Sequence, residues 1–214
     1  MSVAKMIDHT LLKPDATQEE IEQLIKEAKQ YDFASVCINA SWVQLAAQQL
    51  KETEIDVCTV VGFPLGATTT AVKKYEAEEA LENGANEIDM VMNIGALKSG
   101  NDELVQAEIE TIAILVHRYN GLLKVILETS LLSDEQIERA CQLAVAAGTD
   151  YVKTSTGFNG DGATVEAVSL MRRTVGEKVG VKASGGIRTK DDLQRMIVAG
   201  ANRVGASSSI ELIR

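Results

Sequence analysis

Residues 150–164 read DYVKTSTGFNGDGAT, and they predict a strand that ends on a lysine and continues into a glycine-rich loop. Tyr151 and Val152 are strand-forming residues. Lys153 follows them at the end of a buried strand, where its ammonium must be desolvated or lose its proton. Proteins keep such a lysine mainly where the amine is a Schiff-base nucleophile or a general base. The alternative is a lysine that reaches from the sheet to solvent before an ordinary turn.

Strand and helix patterns alternate along the rest of the chain. The predicted strands are residues 5–9, 35–39, 56–63, 87–93, 122–128, 151–153, 180–183 and 202–206. The predicted helices begin at Thr17 and Ser41 and then span residues 71–83, 102–119, 134–147, 164–175 and 189–199. Repeated strand–helix units imply a parallel sheet. Eight such units favour a closed barrel over an open doubly wound sheet, and no GxGxxG motif follows the first strand. We therefore predict an α/β fold, a (β/α)8 TIM barrel formed as a single domain by residues 1–214.

Composition and charge exclude several classes of function. The formal net charge of -10 and the pI of about 4.8 argue against nucleic-acid binding, so any phosphate site must be local. Three cysteines without CxxC spacing and two histidines far apart in sequence predict no metal site. The sequence has no signal peptide and no apolar run long enough to span a membrane, which predicts a cytoplasmic protein with reduced thiols and no membrane partner.

The barrel predicts where catalytic side chains lie, because TIM-barrel active sites form at the carboxyl ends of the strands. Candidates at these ends are Asp8, Cys37, Asn39, Asp89, Asn93, Glu128, Lys153 and Lys182. Lys153 and Lys182 end neighbouring strands, which lie about 4.8 Å apart. Repulsion between two ammoniums predicts that the pKa of one lysine falls, which would supply a free amine. Asp89 is a candidate for moving protons beside them.

Glycines and serines after three of the strands predict a phosphate site. Gly157 lies in the loop after the sixth strand, Gly185 and Gly186 follow the seventh, and Ser207 and Ser208 follow the eighth. Glycines let backbone amides approach an anion closely, and barrel enzymes often bind phosphate after strands seven and eight. Ordinary turns would explain either loop alone, but both loops together favour a phosphorylated substrate.

Several segments also carry a family resemblance over nearly the whole chain. In order, they read IDHTLLKP, VCINASWV, TVVGFPLGATTT, EIDMVMNIGALKSG, KVILETSLL, YVKTSTGF, VKASGGIRT and RVGASSS. These segments resemble the deoxyribose-phosphate aldolase (DeoC) family of class I aldolases, and YVKTSTGF together with VKASGGIRT is a specific combination. The resemblance implies reversible cleavage of 2-deoxy-D-ribose 5-phosphate to D-glyceraldehyde 3-phosphate and acetaldehyde, without a metal or organic cofactor.

The resemblance also assigns roles to individual residues. It implies a Schiff base on Lys153, a perturbing and proton-relaying role for Lys182, and proton transfer by Asp89 with a water. It implies that Asp8 and Cys37 are secondary contacts near the substrate, and that the protein is a homo-oligomer, a dimer or a tetramer. A lysine follows TSTG in some family members where this chain has Phe158, and some members have a C-terminal tyrosine tail beyond the point where this chain ends at Arg214.

Two other functions remain open at this point. The first is another Schiff-base aldolase that acts on phosphorylated sugars on the same barrel, such as a transaldolase-like enzyme, which would give a product other than acetaldehyde. The second is a barrel that binds a phosphosugar without catalysis. Three converging ionisable groups argue against this second function, because binding alone gives no reason to place two lysines side by side.

Overall fold

The computed structural model describes residues 2–160 and 162–214, and within them eight parallel strands form a closed barrel in chain order. The strands are β1 (Ile7–Leu11), β2 (Ser35–Ile38), β3 (Asp56–Val61), β4 (Glu87–Val91), β5 (Leu122–Ile126), β6 (Tyr151–Lys153), β7 (Gly180–Ser184) and β8 (Arg203–Ala206). The pairing of β1 with β8, in which Ile7 lies opposite Val204, closes the barrel. The prediction of a (β/α)8 barrel is confirmed.

Helices surround the barrel. They are α1 (Gln18–Tyr31), α2 (Val43–Leu50), α3 (Thr70–Glu82), α4 (Ile94–Lys98), α5 (Asp102–Arg118), α6 (Asp134–Ala146), α7 (Val165–Val175), α8 (Lys190–Ala199) and α9 (Ser209–Ile213). Short 3-10 turns cover Val3–Met6, Ala40–Trp42 and Thr129–Leu131. No helix within residues 2–160 and 162–214 combines the length and the apolar character that crossing a bilayer requires.

The helix boundaries follow local capping chemistry, and the clearest differences from the sequence prediction are at α2 and α4. Thr17 and Glu20 form the expected reciprocal capping box at the start of α1. Ser41 does not begin a helix, because a 3-10 turn occupies its position and α2 starts at Val43. The sequence prediction also missed α4, a five-residue helix in the loop after β4, which begins where the Asn93 side chain accepts a hydrogen bond from the Ala96 amide.

The two faces of the barrel wall differ in polarity. Side chains alternate along each strand, so in β4 Ile88 and Met90 join the apolar core between strands and helices. Glu87 and Asp89 point the other way and bind cationic side chains from other strands inside the barrel. Branched apolar residues usually fill the interior of a TIM barrel. Here the interior at the level of Asp89 is charged, and this charge defines the candidate site.

Candidate active site

Asp89 lies at the centre of the charged interior, and three lysines from three other strands donate to its carboxylate. Oδ2 accepts from Lys153 Nζ at 2.8 Å and from Lys182 Nζ at 2.7 Å. Oδ1 accepts from Lys124 Nζ at 2.8 Å. All four side chains are buried. The structure therefore brings together the three residues that the sequence singled out, and it adds Lys124, which the sequence reasoning missed.

Register explains this convergence. Lys153 and Lys182 lie directly opposite each other on β6 and β7, and Asp89 lies opposite Lys124 on β4 and β5. Parallel neighbours in register project side chains to the same face, so the two pairs meet across the barrel interior. Lys153 is the last residue of its strand and retains slight exposure, 3% of its surface. This places its amine at the boundary between the charged interior and the loops at the barrel mouth.

Asp8 extends the network on the other side of Lys182. Its Oδ2 lies 2.5 Å from Lys182 Nζ, and its Oδ1 accepts from Arg203 Nη1 at 2.7 Å. Glu87 completes the set, 2.7 Å from Lys124 Nζ and 3.1 Å from Arg203 Nη2. The sequence prediction placed Asp8 near the substrate; the structure shows it as an ion-pair partner of Lys182. Sequence reasoning missed Glu87 and Arg203. Their positions in the strands indicate a polar face of the sheet, but not a site inside the barrel.

The surrounding cations keep the two central carboxylates ionised. Burial alone would raise the pKa of Asp89, but the Lys124, Lys153 and Lys182 ammoniums hold it well below its ordinary range. The pKa of Asp8 is lowered in the same way, since the attraction of Lys182 and further cations outweighs burial. Asp89 is therefore a carboxylate that accepts hydrogen bonds, not a carboxylic acid, before any substrate arrives.

Lys182 is not the lysine of the pair whose pKa falls. Burial lowers the pKa of its ammonium, but Asp8 and Asp89 outweigh burial and raise the pKa above its ordinary value. At Lys182, the attraction of two carboxylates therefore outweighs repulsion between the two lysines. The sequence alone did not show that these carboxylates contact Lys182. Lys182 remains protonated, so it is a fixed positive charge that shares Asp89 Oδ2 with Lys153.

Two thiols form the wall of the site beside Asp89. Cys37 and Cys58 are register partners on β2 and β3, and both are buried. The Cys58 thiol donates to Asp89 Oδ1 at 3.2 Å, while Lys124 Nζ donates to Cys58 Sγ at 3.3 Å. The neighbouring Cys58 thiol lowers the pKa of the Cys37 thiol, whereas burial raises the pKa of Cys58. Cys37 was predicted; Cys58 was missed because nothing in its spacing separates it from a core residue.

Glu128 holds the loop that follows β6. It adopts a left-handed conformation, with φ of 58°, two residues after β5 ends. Its carboxylate accepts from the Thr156 amide at 3.1 Å, the Thr156 hydroxyl at 2.5 Å and the Asn159 side-chain amide at 3.1 Å. These contacts explain why a carboxylate stands at this strand end. Glu128 positions the TSTGF loop and does not join the lysine cluster.

The glycine-rich loops after β6 and β7 pack against each other. A Cβ atom at Gly162 would lie 2.3 Å from Gly185 O, and one at Gly185 would lie 3.6 Å from Gly157 Cα. Gly157, Gly185 and Gly186 all have φ between 77° and 85°, which side chains rarely adopt. Close backbone contact therefore requires glycine here, and it brings Gly157 beside Gly185 as the predicted phosphate site needs.

The last strand brings the serines to the same end of the barrel. Ser184 lies opposite Gly205, so the segments that begin at Gly185 and at Ser207 follow neighbouring strands. Ser207 and Ser208 then lead into α9. Phe158, at the position where some family members carry lysine, is 52% exposed, and its ring meets the Phe63 ring edge-on with centroids 5.3 Å apart. An aromatic contact, and not a cation, occupies this part of the mouth.

Comparison with known proteins agrees with this geometry. A model of the DeoC/LacD family of aldolases matches residues 2–210. The chain belongs to this family. It is 58% identical to "Deoxyribose-phosphate aldolase 2" of Bacillus licheniformis over 213 residues, which are 100% of this chain and 95% of that protein. It is also 58% identical, with the same coverage, to a deoxyribose-phosphate aldolase of Listeria monocytogenes.

A solved structure of the family superposes on nearly the whole chain. The tetrameric deoxyribose phosphate aldolase from Aeropyrum pernix matches with a TM-score of 0.92 and 35% identity, covering 99% of this chain and 89% of that one. The DeoC/LacD family assignment and the barrel therefore rest on both sequence and structure. The family predicted from the residues is confirmed.

Proposed function

We propose that this protein catalyses the reversible aldol cleavage of 2-deoxy-D-ribose 5-phosphate to D-glyceraldehyde 3-phosphate and acetaldehyde through a Schiff base on Lys153. The observation that carries the proposal is the sharing of Asp89 Oδ2 by two lysine amines in a buried site. The names and full-length identity of the Bacillus and Listeria relatives support the substrate. The proposal takes residues 1–214 as one catalytic domain.

The first step requires a neutral amine on Lys153. Lys153 passes its proton to water and attacks the aldehyde carbon C1, which gives a carbinolamine. Loss of water then gives an iminium ion. When Lys153 leaves Asp89, Lys182 and Lys124 still contact the carboxylate, so it stays paired throughout.

The bond that breaks is C2–C3. The electron pair released by cleavage must arrive on the carbon next to the iminium, and that carbon is C2. Deprotonation of the C3 hydroxyl forms the aldehyde of glyceraldehyde 3-phosphate, and the electrons of the C2–C3 bond form an enamine of two carbons on Lys153. Protonation at C2 and hydrolysis release acetaldehyde. In the proposal, Asp89 with a water carries these protons, a contribution of about 10²- to 10⁴-fold for general acid–base catalysis.

The phosphate end of the substrate fixes the position of C1. We assign it to the backbone amides around Gly157, Gly185 and Gly186 and to Ser207 and Ser208, because these segments meet at one end of the barrel. Because the net charge of the protein is -10, a phosphate must be bound by donors that lie close together at one place. Binding energy from the phosphate then orients the reacting carbonyl toward Lys153.

Two further residues have indirect roles in this scheme. Asp8 acts through its contact with Lys182, and Cys37 lies beside Asp89.

The proposal also takes the oligomeric state and the cellular location of the protein from its family. A homo-oligomer, dimer or tetramer, is expected, and the Aeropyrum pernix relative is described as tetrameric. A metabolic aldolase with three free, buried cysteines suits the reducing conditions of the cytoplasm.

Trapping with sodium borohydride tests the proposal. Deoxyribose 5-phosphate and borohydride should leave an ethyl group on one lysine, and peptide mass mapping should place it on Lys153. Lys153→Arg, which keeps the charge, should form no adduct and should lose activity. Lys73→Arg, a substitution at a buried lysine outside the barrel interior, is the matched control and should still be trapped on Lys153.

Other outcomes would each reject a defined part of the proposal. An adduct on Lys182 would exchange the roles of the two lysines. A larger adduct formed only from a ketose phosphate would favour a transaldolase-like enzyme. Substrate that binds without any adduct would leave only a phosphosugar-binding barrel.

A further inference from the structure

Two thiols and the central carboxylate lie close enough to bind one metal ion. Cys37 Sγ, Cys58 Sγ and a carboxylate oxygen of Asp89 all lie within 4.8 Å of one another, and the three residues are buried. We propose that these side chains form a site for a single thiophilic divalent cation such as Zn²⁺ or Cd²⁺. The proposed Schiff-base reaction does not require such a site.

The spacing of the ligand atoms fits tetrahedral coordination. Zinc–sulfur bonds of about 2.3 Å and zinc–oxygen bonds of about 2.0–2.2 Å place neighbouring ligand atoms roughly 3.5–3.8 Å apart. Cys58 Sγ and Asp89 Oδ1 already lie 3.2 Å apart. Cys37 lies opposite Cys58 in the register of β2 and β3, so both thiols project from one face of the wall toward Asp89. Only small side-chain movements are needed to enclose an ion.

The charge of the site permits the cation. Three carboxylates, on Asp8, Glu87 and Asp89, lie among four cationic side chains. A divalent cation that binds two thiols displaces their two protons, so ion and thiolates together add no net charge. Soft thiolate ligands favour Zn²⁺ and Cd²⁺ over Mg²⁺ or Ca²⁺. The site therefore selects for soft cations although it lies among ammonium groups.

The cation would compete with Lys124 for one oxygen of Asp89. Lys124 Nζ now contacts both Asp89 Oδ1 and Cys58 Sγ, at 2.8 Å and 3.3 Å. If the ion takes these two atoms, Lys124 keeps Glu87 at 2.7 Å and Asp8 at 3.6 Å. Displacement therefore leaves no unpaired charge. Three protein ligands leave a fourth position for water or a substrate oxygen, as in zinc sites that keep an open coordination position.

The direct test is a titration of the full-length protein with Cd²⁺, followed by thiolate-to-cadmium charge-transfer absorbance in the near ultraviolet. A thiol assay in denaturant first establishes that all three cysteines are reduced. We expect saturation at one Cd²⁺ per chain, with a band that a chelator removes. Cys37→Ala and Cys58→Ala should each weaken apparent affinity by more than the about 10- to 100-fold that losing an outer-shell partner costs. Circular dichroism confirms that each variant is folded.

Cys141→Ala is the matched control, because Cys141 is the third buried thiol but lies on α6. It should bind Cd²⁺ like the unsubstituted protein. Absence of the band in the reduced protein would overturn the proposal, and so would a band that persists when Cys37 and Cys58 are both replaced by alanine. The absorbance does not depend on catalysis, so these results are independent of the borohydride experiment.

Discussion

Two groups of buried charges in this protein differ in how cations and carboxylates are matched. Between the barrel and the helices, Lys73 on α3 contacts Glu108 on α5 at 2.7 Å, and the same amine donates to Val91 O at 2.8 Å. Inside the barrel, four cations contact three carboxylates, and Asp89 Oδ2 accepts from two amines at once. The Lys73–Glu108 group pairs one cation with one carboxylate. In the barrel group, more than one cation contacts the same carboxylate.

This difference separates a structural role from a chemical one. Loss of one partner from a one-to-one buried pair leaves the other charge uncompensated. In the barrel, Lys153 can become a neutral amine or an imine while Asp89 keeps Lys124 and Lys182. A shared carboxylate thus tolerates the change of charge that a Schiff base requires. The Lys73–Glu108 pair has no such tolerance, and its contacts join α3, α5 and the end of β4.

Replacement of Lys73 should therefore have the largest effect on stability. Lys73→Met leaves Glu108 buried without its cation, and we expect the free energy of unfolding to fall by about 3–5 kcal/mol. Urea denaturation measures this fall. Activity per folded molecule should stay within about twofold, because Lys73 lies outside the barrel interior. A loss below about 1 kcal/mol would show that the pair is not the structural tie described here.

Lys124→Met provides the contrasting measurement. Removal of Lys124 leaves three cations for three carboxylates, and each carboxylate keeps another partner. The loss of unfolding free energy should therefore be smaller than for Lys73→Met. Activity should fall, since Asp89 Oδ1 loses its nearest amine. An equal loss of stability in the two variants would erase the distinction between the groups.

The barrel carboxylates should dominate acid unfolding. Asp8 and Asp89 have pKa values below the unfolded value of about 3.9, so their contribution is complete above that pH and is lost as pH falls below it. Each group should add a slope of roughly 1.4 kcal/mol per pH unit there. Unfolding free energies between about pH 5 and pH 2 measure this slope. Asp8→Asn should reduce the slope of unfolding free energy against pH by the contribution of about one carboxylate. An unchanged slope would show that other carboxylates cause acid unfolding.

The fold was largely predictable because the strands are bounded by clear helix stops and turns. Gly84 and Gly148, with φ of 104° and 84°, end helices where the sequence indicated. The boundaries of α2 and the presence of α4 were less predictable. Five residues give too few turns for periodicity to show, and an apolar Trp42 in place of a capping side chain starts α2.

The site was predictable where a charge ends a strand and less so where a charge lies within one. Lys153 was found because no polar face explains a lysine at the end of a buried strand. Other charged residues lie within strands, where polar and apolar side chains alternate; they are Lys124, Glu87 and Arg203. This alternation indicates that a strand has a polar face, but it does not show whether that face meets solvent or the barrel interior. Only closure of the sheet shows that these faces converge. The catalytic roles assigned to Lys153, Lys182 and Asp89 stay predictions until the trapping experiment is done.

The smallest expected effect lies on the outer face of β1, one residue from Asp8. His9 is buried there, within 2.9 Å of Ser209 Oγ on α9 and of Glu27 Oε2 on α1. Burial lowers the pKa of its imidazole despite the hydrogen bond with Glu27. Below about pH 6.5 the unfolded chain therefore binds a proton that the folded protein resists, and stability falls as pH falls from there toward the lowered pKa.

Thermal unfolding between about pH 7.5 and pH 5 measures this contribution, in a range where the carboxylates of Asp8 and Asp89 remain ionised. His9→Gln, which keeps hydrogen-bonding groups, should make the midpoint less dependent on pH. His117→Gln is the matched control, because the other histidine pairs with Asp150 at the surface and its side chain is 43% exposed. If His9→Gln keeps the original pH dependence of the midpoint, burial of His9 is not the source of that dependence.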